Sequence, residues 1–362
     1  MIAYNFRTSR NDAGGQANEG HWELALSTPA KAYAAARLSY RAHRAPAGER
    51  VLLDHLHATL GAQFPHSLIT SYYIALKAHQ FVALTGRPDS GKFAFASAFA
   101  RALIGAADSQ LVVIDSNGWV RRSANLQAHD LHARFESLQF RQVLQEAMAP
   151  EQSGKLIFLL LRGLAVDEVE YYARRLLQID PDGTRRLALT GFPADNLPVL
   201  PPNVMITATM HLSRRDHHLE AQTLRHVSPI ALPAGLNPGA EAPITVPPVG
   251  LQRMLLAAAV RGNEARDRLE AILGAGRLRM LRPSASLAAL LWRLGIPSDA
   301  SDTAILNFVA NSFTADGHGL FAPSDPWRNA RRACDVAALQ HALCHPACSS
   351  RMRREFTSLL SA

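Results

Sequence analysis

The stretch Phe81-Val-Ala-Leu-Thr-Gly86-Arg-Pro-Asp-Ser-Gly91-Lys92-Phe93 decides how this chain is read. A short apolar run leads straight into the spacing G-x-x-x-x-G-K, the pattern of a phosphate-binding loop between a strand and a helix. Its glycines let backbone N–H groups wrap phosphate oxygens, and its lysine reaches the outer phosphates. Gly86, Ser90, Gly91 and Lys92 are therefore candidate nucleotide-binding residues. The pattern next asks for a Ser or Thr hydroxyl to hold Mg²⁺, and Phe93 stands there instead. Asp89, inside the loop, would repel phosphate. The chain either binds and hydrolyses a nucleotide with groups from elsewhere, or keeps the fold without the chemistry.

Working outward, His66 to His79 has helical spacing and runs into the strand, and Phe93 to Leu103 puts Phe95, Phe99 and Leu103 on one helical face. Four further apolar runs follow: Leu111 to Ile114, Leu156 to Leu161, Val204 to Thr209 and Ser228 to Leu232. Helical segments at Leu138 to Ala149 and Val166 to Leu177 separate several of them, which is the alternation of an α/β parallel sheet. Five strands with helices on both faces are expected. Before this unit, residues 1–60 read as a disordered start and an Ala/Arg/His-rich helical prelude, broken at Arg44-Ala-Pro-Ala-Gly48. The α/β unit spans 61–235, a Pro/Gly-rich linker 236–250, and an all-helical lid domain 251–362.

With 362 residues and 48% hydrophobic content the chain is long enough for two domains and a buried core. No apolar run reaches the roughly eighteen residues of a membrane span, and the polar, Gly/Asn-rich start lacks the pattern of a signal peptide. A cytoplasmic protein is expected, in keeping with only three cysteines and no disulfide framework. The net charge of +8 rests mainly on arginine, since only Lys31, Lys77, Lys92 and Lys155 are lysines. Such a balance favours contact with nucleic acid or an acidic partner. His341, Cys344, His345 and Cys348 recur at i, i+3, i+4 and i+7, which reads either as a zinc-ligand face or as buried cysteines beside surface histidines, with Pro346 interrupting the helix. Trp119, Trp292 and Trp327 read as core or interface aromatics.

At this point the chain resembles the McrB-type branch of the AAA+ superfamily, the nucleotide-driven ring motors of modification-dependent restriction and related defence systems. The likeness covers roughly residues 66–232. The family's "LTGPPGTGKT" is matched by Leu84-Thr-Gly-Arg-Pro-Asp-Ser-Gly-Lys-Phe93, and its turn and tryptophan after the second strand by Val113-Ile-Asp-Ser-Asn-Gly-Trp119. Its "xVExYF" helix is matched by Val169-Glu-Tyr-Tyr172; counting back, the acidic pair of the third strand falls on Arg162 and Gly163. Its "IPPNLFVVGTVN" corresponds to Leu200-Pro-Pro-Asn-Val-Met-Ile-Thr-Ala-Thr-Met-His211, with His211 in the sensor asparagine position. Its "DRA" element corresponds to Leu224-Arg225-His226.

The resemblance implies an AAA+ five-stranded sheet and helical lid, with ATP or GTP as nucleotide and Mg²⁺ in doubt. Hydrolysis needs a metal and a carboxylate to polarise water, and the hydroxyl at Phe93 and both acids at Arg162 and Gly163 are missing. Asp167 and Glu168 lie nearby but read as solvated acids at a helix start. Arg162 reads either as a phosphate partner or as a surface residue, and Arg225 either as an arginine finger acting on a neighbour's nucleotide or as an interface arginine. The preferred expectation is a degenerate, pseudo-ATPase subunit of a homo- or hetero-oligomeric ring, or the partner of a nuclease, in a bacterial defence or DNA-processing complex. The alternatives are an active ATPase or GTPase with unrecognised metal ligands, and an arginine-rich nucleic-acid-binding adaptor.

Overall fold

The structure, a computed structural model, describes residues 48–87, 90–115, 143–144, 146–147, 154–180, 184–188, 197, 199–210, 219–233, 236, 251–293, 303–344 and 348. Helices α1 (Gly48–Leu60) and α2 (His66–Ala78) lead into β1 (Phe81–Thr85), followed by α3 (Lys92–Ile104), β2 (Leu111–Asp115) and β3 (Ile157–Leu164). Next come α4 (Val166–Tyr171), a π-helical turn at Tyr172–Leu176, the short strands β4 (Leu177–Ile179) and β5 (Arg185–Leu187), β6 (Val204–Met210), α5 (Ala221–Leu224) and β7 (Ser228–Ala231). Beyond Leu251 the described elements are helices: α6 (Leu251–Ala258), α7 (Asn263–Leu273), α8 (Ala275–Met280), α9 (Ala285–Arg293), α10 (Thr303–Asn311) and α11 (Pro326–Cys344).

Five strands form one sheet in the order β2-β3-β6-β1-β7. Every pairing in it is parallel, and β1 lies between β6 and β7 with Val82 opposite both Thr207 and Ser228. β1 and β6 are buried along their whole length, as strands covered on both faces must be. At one edge, β7 carries Pro229, which has no N–H to give to a further strand, so an edge is where such a residue fits.

The two-residue period of β1 divides the core. Val82 and Leu84 face one apolar cluster with α1, α2, α3 and helices from α6 onward, whereas Phe81 and Ala83 face a second with Leu144, Val169, Tyr172 and Leu224. The sheet is therefore covered by helices on both faces, as its sequence predicts. Leu255, Leu269, Val309 and Leu339 of the C-terminal helices belong to the same cluster as Val82 and Leu84.

One buried ion pair ties the helices around that cluster. Lys77 of α2 is fully buried; its ammonium donates to a carboxylate oxygen of Glu49 on α1, and to the carbonyls of Asn311 (2.9 Å) and Phe313 (3.2 Å). Tyr73 donates to the same Glu49 oxygen at 3.0 Å. Burial pushes the Lys77 pKa down to about 8, with Glu49 opposing the shift.

Three sequence expectations need correction. The helix expected over Val166 to Leu177 ends earlier: α4 passes at Tyr171 into the π-helical turn, and Leu177 opens a β4–β5 hairpin in which it pairs with Leu187, both buried. Burial of that leucine pair outweighs the helical spacing of the segment. Of the core and interface alternatives for Trp292, its 84% exposure overturns the core one, while Trp327 packs partly buried against the larger cluster. Glu168 is not solvated, as its contacts below explain. Trp119, most of the expected helix over Leu138 to Ala149, the prelude before Gly48 and nearly all of the expected linker lie outside the described residues. No described helix is long and apolar enough to cross a membrane.

Candidate phosphate-binding site

The loop after β1 leaves the carboxyl end of the sheet beside its central strand. The chain passes from β1 to the far edge strand β2, returns through β3 and β6, and then crosses β1 to reach β7. Open parallel sheets hold ligands outside the carboxyl ends of strands at such a reversal.

Two glycines shape the turn. Gly91 has φ 71° and ψ 19°, a left-handed conformation that side chains disfavour, and it precedes α3 as its N-cap. Gly86 has φ 143°, and a Cβ there would lie 2.9 Å from the Ser90 hydroxyl oxygen and 3.2 Å from the Leu232 carbonyl. Leu232 in turn donates its N–H to Thr85 at 2.9 Å, which fixes the end of β7 against the start of the loop. No acidic residue occupies the first turn of α3, and no side chain caps it. Its leading N–H groups and macrodipole accordingly favour an anion.

Lys92 and Ser90 are both buried. The Lys92 ammonium donates to the Gly86 carbonyl (3.1 Å), the Ser90 hydroxyl (3.2 Å) and the Arg87 carbonyl. Ser90 donates its hydroxyl to the Arg87 carbonyl at 2.8 Å. The cation is thus folded into its own loop, and reaching a phosphate would require it to exchange these carbonyls for phosphate oxygens. Asp89 lies outside the described residues.

The structure brings together two of the positions where the sequence departs from the resembled motifs, Phe93 and Arg162. Arg162 places its guanidinium carbon 4.9 Å from the centre of the Phe93 ring, and donates through Nη1 to Asp115 at 3.4 Å. Arg162 and Asp115 are register partners across β3 and β2, and a register shift between Leu161 and Leu164 marks the end of β3. Within that irregularity Gly163 donates its N–H to the Thr209 hydroxyl at 3.0 Å. The Arg162–Asp115 pair is about half exposed, so it contributes no more than about 1 kcal/mol.

This donor set does not fit Mg²⁺, which requires oxygen ligands in near-octahedral geometry. Phe93 has no oxygen, Gly163 has no side chain, Arg162 is itself a cation, and Asp115 accepts from that cation. Glu168 is buried, and its carboxylate accepts the Ala165 N–H at 2.8 Å. That bond caps the start of α4, so the residue expected to be solvated instead satisfies an orphan donor. Asp167 is exposed.

The remaining sequence candidates scatter. His211 and His345 lie outside the described residues. Arg225 is exposed just before β7, at the amino edge of the sheet and so at the opposite edge from the loop. Cys334, Cys344 and Cys348 are buried free thiols, with Cys344 packed 3.7 Å from the Thr85 hydroxyl and burial pushing the Cys334 thiol up to about 12. Among the described residues no group of three or more His, Cys, Asp or Glu side chains is placed to hold a metal.

Sequence reasoning missed a cavity of about 310 Å³ lined by Ala231 and Pro233, the neighbours of the Leu232 that bonds to Thr85. Leu68 and Leu287 supply apolar walls, while Asp335, which accepts the Ser284 N–H at 2.6 Å, and Gln340 supply polar ones. No linear signal joins these segments.

Comparison with protein-family models found no match, nor did comparison with curated proteins. Among solved structures, a full-length MCM homolog from Methanopyrus kandleri is similar with a TM-score of 0.35 and 13% identity. The alignment covers 92% of this chain and 61% of that one, so the chain spans under two thirds of its length. A likeness of this size carries no argument about the site.

Proposed function

We propose that this chain is a degenerate AAA+ module that holds the phosphates of ATP or GTP at Gly86–Lys92 without turning them over at an appreciable rate. The observation that carries the reading is the contact of Arg162 with Phe93. A fixed guanidinium stands beside the loop where the resemblance would have a carboxylate, and its aromatic partner stands where a hydroxyl would be. It supplies positive charge without a metal, and the described carboxylate beside it, Asp115, accepts from the guanidinium instead of being directed at an attacking water. The cavity between Leu68, Leu287 and Pro233 would take the nucleoside. The module would act as a ring or partner subunit, with Arg225 on the face opposite the loop and the helices beyond Leu251 as a lid.

Phosphate release from ATP and GTP tests the reading. Turnover below about 1 per minute is expected, the scale of slow intrinsic hydrolysis. Faster turnover that Lys92→Ala abolishes would establish the rival reading of an active enzyme.

A further inference from the structure

A second cavity, also about 310 Å³, lies at the amino edge of the sheet and owes nothing to the phosphate loop. His79 marks its place: it sits just before β1, so the length of that strand, roughly 17 Å, separates it from Gly86. Arg185, Arg225, Arg261 and Arg266 line the cavity with His79. Among its described lining residues the one carboxylate is Asp180, and Arg186 donates to it at 2.6 Å.

Two of the arginines are built into the protein. Arg185 is 2% exposed and donates to the carbonyls of Leu177 (3.3 Å) and His226. Arg261 is 6% exposed and donates to the Lys77 carbonyl (3.1 Å) and the Gln80 side-chain oxygen (3.3 Å). These neutral oxygens hold the two guanidiniums at the cavity wall. Two helices also begin at the cavity, α7 at Asn263 and α10 at Thr303, adding the positive ends of their dipoles.

His79 points independently to a ligand. It is 4% exposed, and its Nε2 is buried with no hydrogen-bond partner. A buried polar atom left so costs free energy that a ligand's acceptor oxygen would recover. Burial first, and then Arg185, Arg261, His341 and His226, hold its pKa well below the ordinary imidazole value. The ring is therefore neutral, and as the Nε2–H tautomer it would donate to an anion oxygen.

We infer that the cavity lined by His79, Arg185, Arg225, Arg261 and Arg266 is a binding site for a phosphate-bearing anion, distinct from the loop at Gly86–Lys92. Planar guanidiniums, two of them held by protein oxygens, suit a tetrahedral group with several acceptor oxygens. The phosphates come either from a small polyphosphate ligand or from a nucleic-acid backbone.

The test is calorimetric titration of the full chain carrying Lys92→Ala with sodium tripolyphosphate, so that the loop's own contribution is reduced. Saturable binding is expected, weakened about tenfold by adding Arg266→Gln. Arg266 and Arg225 are exposed, so either can be replaced without touching the core, and Arg225→Gln serves as the second variant. Displacement of tripolyphosphate by a short single-stranded oligodeoxynucleotide identifies backbone phosphates as the source; failure to displace it identifies a small polyphosphate. Absence of saturable binding, or binding indifferent to both arginine replacements, overturns the assignment. The phosphate-loop reading is untouched by either result.

Discussion

Arg162 stacks over Phe93 with 4.9 Å between guanidinium carbon and ring centre, although one begins the irregular end of β3 and the other lies in the first turn of α3. Phe93 departs from the phosphate-loop pattern, and Arg162 from the acidic third-strand motif of the resemblance. Together they set a cation on an aromatic face where the loop pattern has a hydroxyl and the resembled third-strand motif a carboxylate, an interaction of about 0.5–1 kcal/mol at an exposed site.

Nucleotide affinity should accordingly be insensitive to metal. Titration of labelled ATP and GTP should give dissociation constants within about threefold of one another with and without EDTA, since that ratio is under 1 kcal/mol. The double replacement Phe93→Thr/Arg162→Asp should make binding fall in EDTA, because it returns a hydroxyl and a carboxylate to the two positions. A strong EDTA effect on the unaltered chain would reveal a metal ligand elsewhere.

Lys92 and Arg225 should separate binding from assembly. Lys92→Ala removes the loop's cation and should weaken nucleotide binding by about tenfold or more. Arg225→Ala, exposed at the far edge, should lower that affinity less than Lys92→Ala does while reducing self-assembly or the rate of an active partner. Light scattering of the chain alone and with candidate partners reads the second effect. A chain that stays monomeric and alters no partner's rate would end the ring-subunit reading.

The Lys77–Glu49 pair sets up a stability test, because both groups are buried. Lys77→Met leaves the Glu49 carboxylate without its cation and should cost about 3 kcal/mol in urea unfolding. The double replacement Lys77→Met/Glu49→Leu should recover most of that loss, since an apolar pair carries no buried charge. A single replacement costing under about 1 kcal/mol would show that the pair is not what joins α1, α2 and the backbone after α10.

Acid should destabilise the protein through its depressed histidines. His79 is held well below 6.5 by burial and then by Arg185, Arg261, His341 and His226, and His226 is lowered to about 4 by burial and then by Arg185, Arg174 and Arg225. As pH falls through 6.5 the unfolded chain takes up protons that the folded chain refuses, so stability present above 6.5 is lost towards the folded pKa values. His79 alone contributes a slope of up to about 1.4 kcal/mol per pH unit. Lys77, which titrates near 8, lies above this window. Urea midpoints measured downward from about pH 7.5 should fall below about pH 6.5, and His79→Gln should flatten the decline; a pH-independent midpoint would contradict the burial of these rings.

The sequence by itself determined the sheet and the glycine-bounded loop after β1, because those signals are local. An apolar run, two glycines five residues apart and a helical apolar face are read within one short window, and they place β1, Gly86, Gly91 and α3. The same locality revealed which oxygen ligands are missing. Only the tertiary structure decided what replaced them, because parallel crossovers bring together residues that no periodicity relates: Arg162 onto Phe93, and Arg185 and Arg261 around His79. It also decided burial against chemical type, hiding Glu168 as a helix cap and Lys77 in the core while leaving Trp292 exposed. A charged side chain reads as surface in one dimension; whether it is buried depends on the partners that meet it, and those are set by which ends of which strands and helices become neighbours.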